Sequence, residues 1–405
     1  MSQVKNIMSL PVIVASLGYF IDVFDLLLFS AVRTPSLKAI GLEGDALFDA
    51  GVLIINAQMA GLILGGLIFG ILADKYGRTR MMFVSILTYS LATLGCAFVQ
   101  DVPMYAALRF IAGIGLAGEF GLALTLVSEI LPKHKRGYAT AILAGFGMFG
   151  AVSAATLAQH ISWEMCYIIG GVSGLALLIL RARVLESRLF ETLPVGISKG
   201  DLLMLLRSPN RLMRYGLVIL SGGPIIYILW LMATFAPELT VHLGLTEAMS
   251  GAVAVMYAYI GFAFGDWASG SLSAFLKTRK RVAIGFWAMS LITCAVYLLM
   301  LNTSSYFVFA LFYLFMGFFA GYWVVICVMA LEMFGTNLRA TVASSVPNFI
   351  RASFIPMGLG VSVLKPELGL IDAALVIGGV VFALSLIALM LLPETHNNDL
   401  EFEES

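Results

Sequence analysis

Twelve stretches of roughly 20 predominantly apolar residues recur along the chain, separated by short polar breaks, and no other feature restricts the fold so tightly. A hydrocarbon core of about 30 Å is crossed by a helix of that length, and backbone placed in hydrocarbon must satisfy its own hydrogen bonds, so each stretch predicts a spanning helix. The spans fall at residues 10–32, 50–73, 81–100, 103–131, 138–159, 163–182, 213–234, 248–273, 282–300, 305–331, 340–362 and 371–392. Composition agrees: the 405 residues are 60% hydrophobic and only 12% charged, with a mean hydropathy of +0.97, more apolar surface than a soluble core of this length can hide. The first stretch carries Asp22 and Asp25 in its interior and is followed by no small-residue cleavage site, so it reads as a retained span and not as a signal peptide.

Charge sets the orientation, because Lys and Arg accumulate on the cytoplasmic side. Nineteen of the 24 basic residues fall in the N-terminus, in the breaks after even-numbered spans or, as Arg181 and Arg214 do, at the span ends beside them, while Arg33, Lys38 and Lys365 lie in the opposite breaks. Both termini are therefore expected to be cytoplasmic, in a bacterial inner membrane; the zero net charge conceals this sidedness, and no nucleic-acid partner is expected. Cys96, Cys166, Cys294 and Cys327 lie in or at the ends of spans without CxxC spacing, and His134, His160, His242 and His396 lack ligand spacing. No metal, cofactor or disulfide framework is expected.

The longest break, 183–212, is rich in arginine and divides the chain near its middle. It predicts an N-terminal six-helix bundle at 1–182, a cytoplasmic linker at 183–212, a C-terminal six-helix bundle at 213–392 and a cytoplasmic tail at 393–405. The halves match internally. Glu129-Ile-Leu-Pro-Lys-His-Lys-Arg136 after the fourth span corresponds to Glu332-Met-Phe-Gly-Thr-Asn-Leu-Arg339 after the tenth, 203 positions on. Pro35 to Gly41-Leu42 corresponds to Pro237 to Gly244-Leu245, and Leu185-Glu186-Ser187 to Pro393-Glu394-Thr395. Similar offsets in three places argue for duplication.

The break after the second span reads Gly70-Ile-Leu-Ala-Asp74-Lys-Tyr-Gly77-Arg78-Thr-Arg80. In sequence and position it resembles the signature loop of the major facilitator superfamily. Arg109 followed by Gly113 and Gly115 is similar to that family's second motif. The Glu129 to Arg136-Gly137 segment and the Pro393-Glu394-Thr395 ending resemble its sugar and metabolite symporters. The resemblance covers the whole chain and implies an all-α membrane protein of two pseudo-symmetric six-helix bundles.

An aspartate at the end of the second span can accept hydrogen bonds from exposed N–H groups at a neighbouring helix start, with Gly70 and Gly77 allowing close approach. The resemblance implies that this loop stabilises an outward-facing state, with Arg78, Arg80, Glu129, Arg136 and Glu186 joining Asp74 in a breakable charge network. Glu332 and Arg339 are the second-half counterparts. There the latch aspartate is replaced by Ala274, leaving only the upstream Asp266.

Ionisable groups within the spans carry more functional information, since burying them costs several kcal/mol unless they are paired or line an aqueous cavity. Asp22 and Asp25 are three residues apart and share a helix face, so double ionisation is penalised and one of them can carry a proton. Arg109 can pair with either aspartate, and Glu119 lies about 15 Å farther along the same helix. These four are the expected proton-coupling groups. Arg351 has no acidic partner on its own helix and invites an anion; Asn348, three residues earlier, shares its face. The placement of Arg351 also resembles the substrate-contacting arginine of the family's organic anion transporters. Tyr227, Trp230, Tyr322 and Trp323 are candidates to line a pocket for an apolar or aromatic solute.

No phosphate loop and no catalytic constellation is present, so neither ATP drive nor enzymatic activity is expected. The fifth span, Gly145-Phe-Gly147-Met-Phe-Gly150, lacks the Gly-Pro element of many drug-efflux members, which favours uptake. The expectation is a monomeric, proton-coupled importer of a small organic anion or zwitterion. A sugar or polyol symporter is one alternative, and a non-transporting nutrient sensor is another.

Overall fold

The computed structural model describes residues 10–76, 78–118, 133–186, 208–299 and 303–396. Among them there is no strand, and every one of the twelve apolar stretches contains helix. The helices are α1 (Leu10–Ala39), α2 (Gly44–Tyr76), α3 (Arg78–Cys96), α4 (Val102–Leu116), α5 (Lys133–Leu157), α6 (Trp163–Glu186), α7 (Pro209–Ser221), α8 (Gly223–Ile226), α9 (Ala236–His242), α10 (Gly251–Phe275), α11 (Lys280–Leu299), α12 (Tyr306–Ala320), α13 (Trp323–Met333), α14 (Thr336–Ala352), α15 (Phe354–Leu368) and α16 (Leu370–Leu391). Seven described segments are long and apolar enough to cross a membrane, from Ile13–Ala39 to Leu370–Leu391.

Three spans are divided. The seventh is interrupted at Gly222, passes through α8 into a π-helical segment, Tyr227–Met232, and resumes as α9. The tenth breaks at Gly321–Tyr322 and the eleventh at Ser353. π-segments and discontinuous helices concentrate at functional sites, because they free backbone groups that an unbroken helix would consume.

The described residues form two compact units, one within Met1–Phe29 and Ala57–Lys199, the other within Ser30–Asn56 and Gly200–Ser405. These bounds differ from the sequence halves: the segment 30–56, the end of α1 and the start of α2, packs with the C-terminal helices. The expected first span stopped at residue 32, before the charge of Arg33, whereas α1 continues to Ala39 with Arg33 fully buried. An ion pair with Glu238 neutralises the charge that suggested a loop.

Each unit is centred on a pair of helices in backbone contact, and the two pairs repeat one another. In the first unit a Cβ at Gly61 would overlap the Phe110 carbonyl, one at Gly65 the Ile114 carbonyl and one at Gly113 the Gln58 carbonyl, which binds α2 to α4. In the second unit Gly261 would meet the Leu314 carbonyl, Gly265 the Phe318 carbonyl and Gly317 the Ala258 carbonyl, which binds α10 to α12. The same small-residue device stands at the same register two hundred residues later, where apolar driving force between helices is weak and close van der Waals packing replaces it.

Candidate functional site

In the first unit the buried charges of α1 and α4 meet. Arg109 Nη2 lies 3.1 Å from Asp25 Oδ1, and its Nη1 donates to the Asp25 carbonyl at 3.2 Å. Thr93 of α3 donates to Asp25 Oδ1 at 2.7 Å and accepts from Arg109 Nη2 at 3.0 Å, so three helices close on one carboxylate. The Tyr167 ring stands 5.4 Å from the guanidinium carbon, and its hydroxyl shares a 2.5 Å hydrogen bond with that of Tyr105. Asp22, Asp25 and Arg109 are all buried. Gln58 of α2 donates to the Leu26 carbonyl at 3.0 Å, one helical residue beyond Asp25. Thr93, Gln58, Tyr105 and Tyr167 were missed by sequence reasoning, because neutral polar residues in a span carry no charge to betray them.

In the second unit Arg351 lies one residue before the end of α14, 8% exposed. Its Nη1 donates to Asn348 Oδ1 at 3.2 Å, and its guanidinium carbon stands 5.7 Å from the Trp323 ring. No ion pair to Arg351 occurs among the described residues. Trp323 opens α13 immediately after the break in the tenth span, and the same break is capped from α10: Asp266 Oδ1 accepts the Val324 N–H at 2.8 Å. Asp266, which lies within the eighth span, thus serves a free N–H at a helix start, and Gly321 permits the backbone contact with Gly265 and Asp266 there.

The remaining aromatic candidates divide differently. Tyr322 is fully buried and donates to the Ser221 carbonyl at 3.2 Å, while Tyr227 donates to the Ala374 carbonyl at 2.8 Å beside Phe382. Both hydroxyls are occupied by backbone at helix interruptions or contacts. Trp230 sits in the π-helical segment, 6.4 Å from the Phe354 ring. Of the four, Trp323 is the one the structure sets against Arg351.

At the end of the second unit nearest the C-terminus, Arg279 Nη2 lies 3.2 Å from Glu332 Oε1, and Thr395 donates to Glu332 Oε2 at 2.6 Å. Glu394 caps the start of α11, accepting from Thr278 Oγ1, from the Arg279 N–H at 2.8 Å and from the Lys280 N–H at 3.2 Å. Burial raises the Glu394 carboxyl, but the hydrogen bonds from Thr278 and from the N–H groups of Arg279, His396 and Thr395 outweigh it and hold the group below its usual range. Arg279 and Thr395 are thus partners of Glu332 among the described residues. Gly70 lies within α2, while Gly77, Glu119 and Glu129 and the side chains of Asp74, Arg78, Arg80, Arg136, Glu186 and Arg339 lie outside the described residues.

Sequence reasoning also missed the charge pair of the segment 30–56. Arg33 Nη2 lies 2.7 Å from Glu238 Oε2, and Phe235 stacks on the guanidinium with 4.3 Å from its carbon to the ring centre. Nearby, Lys365 Nζ pairs with Asp45 at 2.6 Å. No group of acidic, His or Cys residues able to hold a metal occurs among the described residues.

Comparison with known proteins agrees with this architecture. The description Major Facilitator Superfamily matches residues 15–360. A niacin transporter of Acinetobacter baylyi is 32% identical over 191 residues, 46% of this chain and 42% of that protein. A probable 4-methylmuconolactone transporter of Cupriavidus pinatubonensis is 26% identical over 406 residues, 95% of this chain and 90% of that protein. The match thus spans less than half the length of the niacin transporter and nearly all of the second relative. The crystal structure of a D-xylose-proton symporter superposes with a TM-score of 0.69 over 96% of this chain and 98% of that one, at 16% identity, a likeness of fold alone.

Proposed function

The chain belongs to the major facilitator superfamily, as a multi-pass integral membrane protein, and we propose that it imports a small organic anion together with protons. The observation that carries this reading is Arg351: a buried guanidinium, free of any described carboxylate, facing an indole at a break between two half-helices. A planar fork of donors beside an aromatic ring suits an aromatic or unsaturated carboxylate, whose two oxygens match the guanidinium while its apolar body covers Trp323. Niacin, named for one relative, is such a carboxylic acid.

Asp25 and Arg109 supply the coupling. While Asp25 is ionised it holds Arg109 and Thr93. Protonation removes the charge that keeps the guanidinium in place, and breaking a buried pair by neutralising one partner costs roughly 3–5 kcal/mol, enough to shift a conformational equilibrium by orders of magnitude. Asp22 on the same face and Glu119 belong to this proposed proton path; Asn348, Trp323, Tyr322, Tyr227 and Trp230 to the proposed substrate region. Arg279, Glu332, Asp266 and the Asp74 loop with its charged companions act as gating contacts. We place the protein in a bacterial inner membrane with both termini cytoplasmic, as a monomer of two six-helix halves joined by the linker 183–212.

The test is uptake into proteoliposomes with an imposed inward proton gradient, comparing labelled aromatic acids, amino acids and sugars. Gradient-driven uptake of an acid that is lost in Arg351→Ala is the expected result. Sugar uptake indifferent to Arg351→Ala overturns the anion assignment, and no uptake of any solute overturns transport.

A further inference from the structure

Among the described residues Arg33 is a fully buried arginine with unsatisfied donors, and its surroundings resemble a ligand site occupied by the protein itself. Only one of its three nitrogens is used: Nη2 donates to both Glu238 oxygens, at 2.8 and 2.7 Å, and to the Thr234 carbonyl at 3.2 Å. Nε and Nη1 have no hydrogen-bond partner, although the side chain is fully buried. A guanidinium binds a carboxylate best through two nitrogens at once, one to each oxygen. Glu238 instead rests sideways on a single nitrogen, as expected of an anion tethered to a helix that cannot turn into the fork.

Two further polar atoms are left without partners in the same place. Ser30 Oγ, three residues before Arg33 on the same helix face, and Thr234 Oγ1, whose carbonyl Arg33 contacts, are both buried and unpaired. Both backbones pack against Gly251, where a Cβ would lie 3.2 Å from the Thr234 carbonyl and 3.4 Å from that of Ser30. The Phe235 ring covers one face of the guanidinium. Unsatisfied buried donors cost about 1–3 kcal/mol each, so such a group of them is retained against stability. Glu238 itself is one-fifth exposed, whereas Arg33 is fully buried.

We propose that Arg33 is a carboxylate receptor at the membrane face opposite the chain termini, held by Glu238 as a resident stand-in until the carboxylate of an incoming solute takes its place. The free acid turns to engage two guanidinium nitrogens, with Ser30 and Thr234 as hydroxyl donors and Phe235 as the apolar wall, and Glu238 swings to solvent. The exchange is anion for anion, so no buried charge is left uncompensated. The idea rests on the reading of the cargo as an organic carboxylate and adds to it a second, earlier site.

Binding to the purified full-length protein tests it, with benzoate as probe and its uncharged amide, benzamide, as control, at constant ionic strength. Arg351→Ala first removes the proposed central site. In that background Glu238→Gln frees the receptor and should tighten benzoate binding by about tenfold or more, as removal of a competing buried charge predicts, with no effect on benzamide. Adding Arg33→Gln should abolish the gain. Should Glu238→Gln not purify folded, Glu238→Ala removes the same charge and makes the same test, and the neutral pair Arg33→Gln with Glu238→Gln should fold without binding benzoate. Unchanged affinity on altering Glu238, or a gain that survives Arg33→Gln, overturns the receptor. If benzoate binds the unmodified protein through Arg351 alone, only the receptor fails; if no carboxylate binds with Arg351 intact, the cargo assignment fails instead.

Discussion

Thr93 stands between Asp25 and Arg109, donating its proton to the carboxylate at 2.7 Å and accepting from the guanidinium at 3.0 Å. The hydroxyl and the guanidinium thus meet on one oxygen, Asp25 Oδ1, which Arg109 Nη2 also reaches at 3.1 Å, and loss of the negative charge weakens the bonds that both make to it.

Asp25→Asn, which fixes the protonated charge state, should therefore uncouple the proposed transport from protons. Counterflow of the anion should persist, while accumulation driven by a proton gradient should fall by more than about tenfold, the scale on which a buried charge pair acts. Gradient-driven accumulation at the unmodified level in Asp25→Asn would exclude Asp25 as the coupling group.

Thr93→Val keeps the shape of the side chain and removes the bridge. Loss of a hydrogen bond to a charged group costs about 1.5–3 kcal/mol, so the pH at which uptake is half-maximal should shift while the maximal rate changes less. An unchanged pH profile with a lowered maximal rate would indicate a packing role only.

Some of this was legible in the chain itself, for physical reasons that differ by residue. Asp25 and Arg109 are opposite charges within hydrocarbon, and few partners exist there, so their meeting followed from cost alone. Arg33 is charged too, but near a span end it is indistinguishable from a loop residue, and only the fold brings Glu238 to it. The interruptions at Gly222, Gly321 and Ser353 leave the apolar run unbroken, so hydropathy passes over them; a glycine is present at the first two, yet 40 glycines in the chain dilute that signal. The repeated glycine register, Gly61 and Gly113 against Gly261 and Gly317, was readable at the duplication offset but has meaning only once backbone contact is seen.

Those glycines give a stability prediction. Gly317→Ala puts a methyl group against the Ala258 carbonyl, and Gly113→Ala puts one against that of Gln58. Overpacking of a close contact costs about 1–3 kcal/mol, so each should lower the melting temperature in detergent. Gly216 of α7, where an added Cβ meets nothing within 4 Å, is the control: Gly216→Ala should be neutral or stabilising, since alanine favours helix by about 1 kcal/mol. Equal effects at all three positions would remove backbone contact as the reason for glycine.

Arg351→Lys separates charge from shape at the proposed substrate site. Lysine keeps the positive charge but loses the planar fork and the stacking surface toward Trp323. The expected outcome is a rise in KM for an aromatic acid of about tenfold, with a smaller loss for a compact aliphatic acid that never covered the indole. Equal losses for both acids would show that Trp323 does not contribute to recognition.

Glu394 provides a pH dependence whose sign follows from its contacts. Its carboxyl is held below the ordinary range in the folded protein, so the folded state favours the ionised form relative to the unfolded chain. The resulting stabilisation is fully present above the ordinary carboxylate range and is lost as pH falls through the lowered folded value. Protonation removes the acceptor for Thr278 and for the N–H groups at the start of α11, which also loses a favourable negative charge at its positive end. The effect is small, because the group is largely exposed to water. Melting temperature recorded from neutral pH down to the acid limit should decline more steeply in the unmodified protein than in Glu394→Gln, whose amide keeps one acceptor and does not titrate. Parallel curves would show that the cap at α11 carries no pH-dependent share of the stability.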